Sequence, residues 1–430
     1  MTEDVPATAP RRSLRAGLDA GLGRRFWTLF SASLLANLAD GIFQIALPLL
    51  AASLTRDPGL VAGVTVASRL PWLVFALVAG VLADRFDRRR TMVIVDATRV
   101  IVLAALTAAV LANAATIWLL YIVAFVLGCL ETMFDTAASS MLPMVVGTER
   151  LVAANSRLTA VELTMNLFVG PPIGGFLVAI GVSAAFGAAA AGYLGALLCL
   201  ATLAGSFRPV RAGPASSIGC EMADGLRYLA HHRLLRTLAV VVSLMNLPLM
   251  AVYAVNVLWI VEPGPLELDP VGYGLLTTAT AVGTVTGTVL AARFERVFGR
   301  ANLFVANIAS LIVIDLVWFV PDPIAIGVVL GIASSLGGAF NVVFGSIRQR
   351  IVPNHLLGRV MASFRVISWG SLPLGALLGG VVGQAFGLPA VFIGAAAIHA
   401  VLLLSRLVLT DAFMDQAEAQ AAANAGAGGF

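Results

Sequence analysis

The chain has 430 residues, of which 59% are hydrophobic and only 12% charged, and carries a formal net charge of +4 at pH 7. A water-soluble protein of this length needs far more polar surface, so the composition excludes one and requires a bilayer as solvent. All 27 basic residues are arginine, and their place between apolar runs makes nucleic-acid binding an unnecessary reading of the positive charge.

Runs of 18 or more mostly apolar residues occupy 26–52, 61–83, 91–112, 116–138, 159–180 and 184–207, then 237–261, 271–292, 302–320, 324–347, 362–384 and 388–409. A membrane-spanning helix takes about 20 residues, whereas a barrel would show alternating segments of about 10. The runs predict an all-α membrane protein with twelve transmembrane helices in two six-helix bundles. The predicted units are a 1–25 amino-terminal segment, a 26–207 bundle, a 208–236 linker, a 237–409 bundle and a 410–430 tail. Arginines crowd the start (Arg11, Arg12, Arg15, Arg24, Arg25) and the even-numbered connections, while the odd-numbered ones hold only Arg56. The positive-inside rule then puts both termini in the cytoplasm of a cell whose inner membrane the chain crosses many times. The acidic start and long first run predict no cleavable leader.

In the first run Asn37, Asp40 and Gln44 share one helical face, with Asp40 roughly 17–20 Å from the cytoplasmic end. Arg69, in the second run, falls at similar depth. It is a candidate counter-ion for Asp40 or a contact for an anionic substrate, and the sequence leaves both open. Asp96 and Arg99 in the third run, and Glu162 with Asn166 in the fifth, read as structural or gating charges near the cytoplasmic ends. The fourth run offers Glu131 and Asp135 on one face. Acids stranded in lipid are costly and usually functional; desolvation penalises their charged form, so Asp40, Glu131 and Asp135 are the candidates for loading protons. The competing reading is a helix–helix hydrogen bond or a fixed ion pair.

The 208–236 connection opens with Pro209, Gly213 and Pro214, a flexible linker. It continues over 221–236 as an amphipathic helix on the membrane surface. In the second half Asn246, Met250, Tyr253 and Asn256 recur at helical spacing, followed by Phe340, Asn341 and Phe344, then Trp369. Such aromatics, thioethers and amides suit a pocket for varied apolar ligands, although they also simply pack bundles. Asp315 and His399 read as packing residues hydrogen-bonded inward. Cys129, Cys199 and Cys220 form no disulfide framework or metal spacing, and no metal, cofactor or catalytic residue is expected. The 410–430 tail, rich in Ala and Gly, reads as disordered.

The halves echo each other: Ala83-Asp84-Arg85-Phe86-Asp87-Arg88 resembles Ala291-Ala292-Arg293-Phe294-Glu295-Arg296, and Pro143 finds a counterpart in Pro353. Gly80-Val81-Leu82-Ala83-Asp84-Arg85-Phe86-Asp87-Arg88-Arg89-Arg90 resembles the signature of the major facilitator superfamily, with Asp87 where a glycine is usual. Pro353 and Gly358-Arg359-Val360 resemble its branch of siderophore and macrolide exporters. The resemblance implies a cytoplasmic gate of Gly80, Asp84, Arg85, Arg88, Asp96, Arg99 and Arg365, with Asp84 drawn to the start of span eleven. Gly170-Pro171-Pro172-Ile173-Gly174-Gly175 resembles the antiporter motif of efflux proteins, with Asn166 replacing its upstream glycine. An arginine common in span four of proton-coupled relatives is absent from 121–127. Together these imply export of a small-molecule substrate by proton antiport, from a monomer that needs only protons, substrate and bilayer as partners. Alternatives are a lysophospholipid flippase, or an uptake symporter or facilitator of the same fold. A membrane sensor lacks a soluble domain, and an ATP-driven pump lacks a phosphate-binding loop.

Overall fold

The computed structural model describes residues 22–74, 87–203, 205, 207, 218–353 and 356–427. Gly80, Asp84 and Arg85, most of the linker and the extreme termini lie outside the described residues.

Helix α1 (Gly23–Leu54) runs 32 residues and ends where Thr55 turns extended. After α2 (Pro58–Val74), Asp87 opens α3 (Arg88–Leu111) as its N-cap, accepting from the Arg90 amide at 3.1 Å. Its second oxygen accepts from the Phe207 amide at 2.9 Å. The departure from the resembled signature is thus a capping residue that also ties down the end of the first half. Thr116 caps α4 (Ile117–Val145) in the same way.

Span five is one path in three pieces: α5 (Leu151–Leu163), a π-helical segment (Thr164–Val169) and α6 (Gly170–Ile180). Pro171 and Pro172 lack the amides that would bond the carbonyls of Leu167 and Phe168, so the helix widens just before them. Helix α7 (Val182–Thr202) completes the first half.

The predicted surface helix ends earlier than expected. Helix α8 (Ile218–His231) stops at His232, which caps the next span, α9 (Arg233–Ile260), by accepting from the Leu235 amide. Arg233 and Arg236 therefore belong to the first turn of that span. Asp269 caps α10 (Pro270–Val289), which bends by 70° into the short α11 (Ala291–Phe298), so Ala291-Ala292 start a new helix instead of finishing the span. Helices α12 (Arg300–Leu316), α13 (Pro323–Ile351), α14 (Leu357–Phe386) and α15 (Leu388–Leu402) follow.

The tail corrects a second expectation: instead of being disordered, Asp411–Ala427 forms helix α16. Asp411 caps α12 by accepting from the Ala301 amide, and Met414 is fully buried. Glu418 pairs with Arg300 at 3.2 Å, Asp415 pairs with the same arginine, and Arg233 lies over the Phe413 ring. Alanine-rich composition suggested disorder, but alanine is also the best helix former, and these anchors supply the docking.

Among the described residues ten helices are long and apolar enough to cross a membrane, or eleven with the bent α10–α11 pair; α2 is a shorter apolar helix. Their packing repeats. In the first half α1 meets α7 and α6, α3 meets α7 and α4, and α2 meets α4. In the second half α9 meets α15 and α14, α12 meets α15 and α13, and α10 meets α13. The halves touch mainly through α2 with α14 and α6 with α10, two contacts that exchange under the same repeat.

Candidate functional site

The glycine-proline segment of span five sits where α1, α6 and α10 come together. A Cβ on Gly170 would lie 2.6 Å from the Gly41 Cα, and one on Gly175 would lie 2.4 Å from the Pro270 carbonyl oxygen across the half interface. Only glycine permits such backbone approach. Asn166, in place of the motif's upstream glycine, donates to the Asn37 side-chain oxygen at 2.9 Å, so two of the singled-out amides pair with each other.

The end of the bundle where α1 turns into α2 is closed. The Arg56 guanidinium donates to the Leu258 carbonyl at 2.6 Å, and the Gln384 side-chain amide donates to Asp57 at 2.9 Å. Both bonds join the two halves.

Inside the first half, Asp40 accepts a 2.5 Å hydrogen bond from the Tyr193 hydroxyl. The Arg99 guanidinium lies 4.8 Å from the Tyr193 ring centre and 5.1 Å from that of Phe134. Arg99 and Asp96 are fully buried and 3.6 Å apart. The pair is thus enclosed on all sides by neighbouring helices. Glu131 and Asp135 lie one turn apart on α4. Asp40, Gln44, Arg69, Glu131 and Tyr193 line a pocket of about 70 Å³.

A cavity of about 450 Å³ adjoins it, bounded by Gln44 and Arg69 from the first half and by Met250, Tyr253, Asn256 and Asn341 from the second. A further cavity of about 650 Å³ is lined by Asn246, Phe340, Asn341, Arg365 and Trp369, with Arg348. Phe344 borders neither; it is buried against Phe304 and Phe340. The Trp72 and Trp369 rings meet edge-on across the halves at 5.6 Å, and Arg365 lies over Trp369 at 5.1 Å. Arg88 holds the start of α3, approaching the Met144 sulfur at 3.3 Å.

Sequence reasoning passed over Tyr193, Trp72 and Phe134. Tyr193 had a signal: it is the one long polar side chain in its span. Trp72 and Phe134 look like ordinary packing residues until the fold places them.

The transmembrane secretion effector profile matches residues 20–426 of the chain, nearly its whole length. The chain belongs to this family of major facilitator transporters. It is 29% identical over 389 residues to the multidrug efflux pump Tap of Mycobacterium tuberculosis, covering 87% of this chain and 90% of that pump. The enterobactin exporter EntS of Salmonella typhimurium is 24% identical over 359 residues, or 83% of this chain and 85% of that one. The fold matches the nucleoside transporter NupG with a TM-score of 0.70 at 13% identity, over 90% of this chain and 99% of that one. A bacterial homologue of ferroportin, solved in an inward-facing state, matches with a TM-score of 0.66 at 14% identity, covering 89% and 98%. The protein is a multi-pass transporter of the bacterial cell membrane.

Proposed function

We propose that this transporter exports small amphipathic compounds, of drug, antibiotic or siderophore type, by proton antiport with alternating access. The reading takes the chain as a monomer of twelve spans with both termini in the cytoplasm. The closure at Arg56 then lies on the outer face, and the described conformation is the inward-open one. Export is supported by the names of the curated relatives and by the span-five motif at the half interface.

One observation carries the coupling. Among the described residues Asp40, Asp96 and Glu131 gather inside the first half with two guanidiniums: Arg69 lines one pocket with Asp40 and Glu131, and Arg99 lies 3.6 Å from Asp96 and over the ring of Tyr193, whose hydroxyl donates to Asp40, while Asp135 and Glu162 are more exposed. Arginine stays charged, so in a medium of low dielectric the three acids ionised together outnumber the two guanidiniums, and a proton makes up the difference. Asp40 is the gatekeeper because it touches both the pocket and the buried Tyr193–Arg99 pair. An arriving cationic or polar substrate competes for the same negative charge, so proton and substrate occupy the site in turn. Met250, Tyr253, Asn256 and Asn341 present the complementary apolar and amide wall.

Asp40→Asn is expected to fold and insert normally while losing export driven by a pH gradient. Dye efflux from proteoliposomes with an imposed gradient checks this, and wild-type efflux by the variant removes Asp40 from the mechanism. A parallel arm with fluorescent lysophospholipid distinguishes drug export from lipid flipping. Faster inward movement on expression in cells reverses the assigned direction.

A further inference from the structure

Among the described residues the second half contains one fully buried acid–base pair, and the coupling scheme above does not use it. Asp315 of α12 and His399 of α15 are both fully buried. The His399 Nδ1 lies 2.6 Å from Asp315 Oδ2, and its Nε2 lies 3.1 Å from the carbonyl oxygen of Met245 in α9. One imidazole thereby links three spans.

Counting donors decides how many protons the arrangement holds. A neutral imidazole has one N–H, and an ionised carboxylate has none. Both ring nitrogens face oxygen atoms, and a peptide carbonyl can only accept. Two short contacts therefore need two hydrogens, one more than a neutral histidine beside an ionised aspartate supplies. The extra proton rests on the ring or on the acid, and in either case the pair is neutral overall and pays no penalty for net charge in lipid. Asp315 Oδ1 has no hydrogen-bond partner among the described residues. That is a modest cost for a neutral acid and a large one for a bare carboxylate.

Among the described residues His399 is the one basic side chain within ion-pair distance of Asp315, so no second cation stands beside the acid to balance its charge if the proton leaves. Of the other charged groups on the packed helices, Arg233 and Arg236 open α9, Arg300 opens α12, Asp322 caps α13, Arg350 and Arg359 lie near the ends of α13 and α14, and Arg348 and Arg365 line the larger cavity that Met245 also borders. Tyr253 on α9 faces the central cavity instead. Directly in front of the pair stand cavity walls, since Met245 lines the larger cavity and Ser310, Leu311 and Ile314 line the other.

We propose that Asp315 and His399 form a second proton-binding site, in the second half, whose single shared proton holds the α9–α12–α15 wall of the substrate cavity in place. Loss of that proton leaves a ring lone pair aimed at an oxygen, either the Met245 carbonyl or the Asp315 carboxylate. One of the two contacts then breaks, and the wall loosens as pH rises. This assignment is independent of Asp40 and of the direction of transport.

The test uses the full chain in nanodiscs with Asn341→Cys as a cavity reporter, after Cys129, Cys199 and Cys220 are changed to Ser. Maleimide labelling and thermal unfolding are followed at pH 6 and pH 9 without substrate. Asp315→Asn keeps an N–H donor toward Nδ1 at every pH, so the wall should stay fixed. The expected result is a pH 9 to pH 6 ratio of labelling rates at least fivefold larger in the parent than in Asp315→Asn, with unfolding less pH-dependent in the variant. His399→Gln should also lose the pH response, which keeps the test informative if Asp315→Asn fails to fold. Equal labelling ratios in the parent and the folded variants overturn the proposal. So does a change confined to unfolding, which would make the pair a helix staple only. Because no transport is measured, failure here leaves the export reading standing, and failure of export leaves this site standing.

Discussion

The Tyr193 hydroxyl is the polar group that α7 brings to the acids of the first half, and its bond to Asp40 is short while its ring covers Arg99. A hydrogen bond to a charged group contributes about 1.5–3 kcal/mol. Tyr193→Phe is therefore expected to lower gradient-driven export by about ten- to a hundredfold while downhill exchange of the same dye persists, as initial rates in proteoliposomes would show. Asp40, Glu131 and Asp135 were legible in the sequence because a lone acid in an apolar run stands out against its neighbours. The role of Arg99 was not, since a charge eleven residues into a span looks like a rim charge until α7 and Phe134 of α4 enclose it. Arg69 remained open between two partners in the sequence, and the fold places it on the wall shared by both halves of the cleft.

At the scale of elements, glycine spacing matters more than hydrophobic pattern. Gly175 and Gly274 let α6 and α10 touch backbone to backbone, each facing a proline carbonyl of the other helix. Gly175→Leu should force these helices apart at a cost of about 1–3 kcal/mol, exposing an Asn256→Cys reporter to an impermeant thiol reagent added outside. No gain in labelling over the single Asn256→Cys protein would contradict the close-packed seal. The docked tail gives a different kind of prediction. Arg300 and Glu418 form a largely buried ion pair at 3.2 Å, so a double-mutant cycle on thermal unfolding should return a coupling of about 1 kcal/mol, with export unchanged. The helix itself was hidden in the sequence because its few anchors mean nothing without their partners: the Ala301 amide for Asp411, Arg233 of α9 for Phe413, and Arg300 and Arg350 of α12 and α13 for Glu418. The positions of the described spans, by contrast, were legible to within several residues, with the largest departures where α4 runs on to Val145 and α5 begins at Leu151.

For the whole molecule, the two cross-half contacts and the two polar clasps beside them determine which face is shut. Arg56 donates to the carbonyl that ends the reach of α9, and Asp57 holds Gln384. Removing the first clasp with Arg56→Gln should shift the balance toward the outward-open form by about tenfold, the weight of about 1.4 kcal/mol, read as a change in spin-label distance between the halves. An unchanged distribution would show that the glycine seal alone closes that face. The repeated packing also explains why the architecture was readable from the chain: two copies of one hydrophobic pattern give the same helix pairings twice, while the loop signature that announces the family lies in residues not described.

Helix α1 also bears on the surrounding lipid. Its 32 residues extend about 48 Å, against a hydrocarbon layer of about 30 Å, and α4, α13 and α14 are nearly as long. Rods of that length fit only by leaning or by projecting beyond the headgroups. Under the alternating access proposed above, acyl-chain length would act on this transporter as a mechanical load, weighting one orientation of the halves over the other without touching any binding residue.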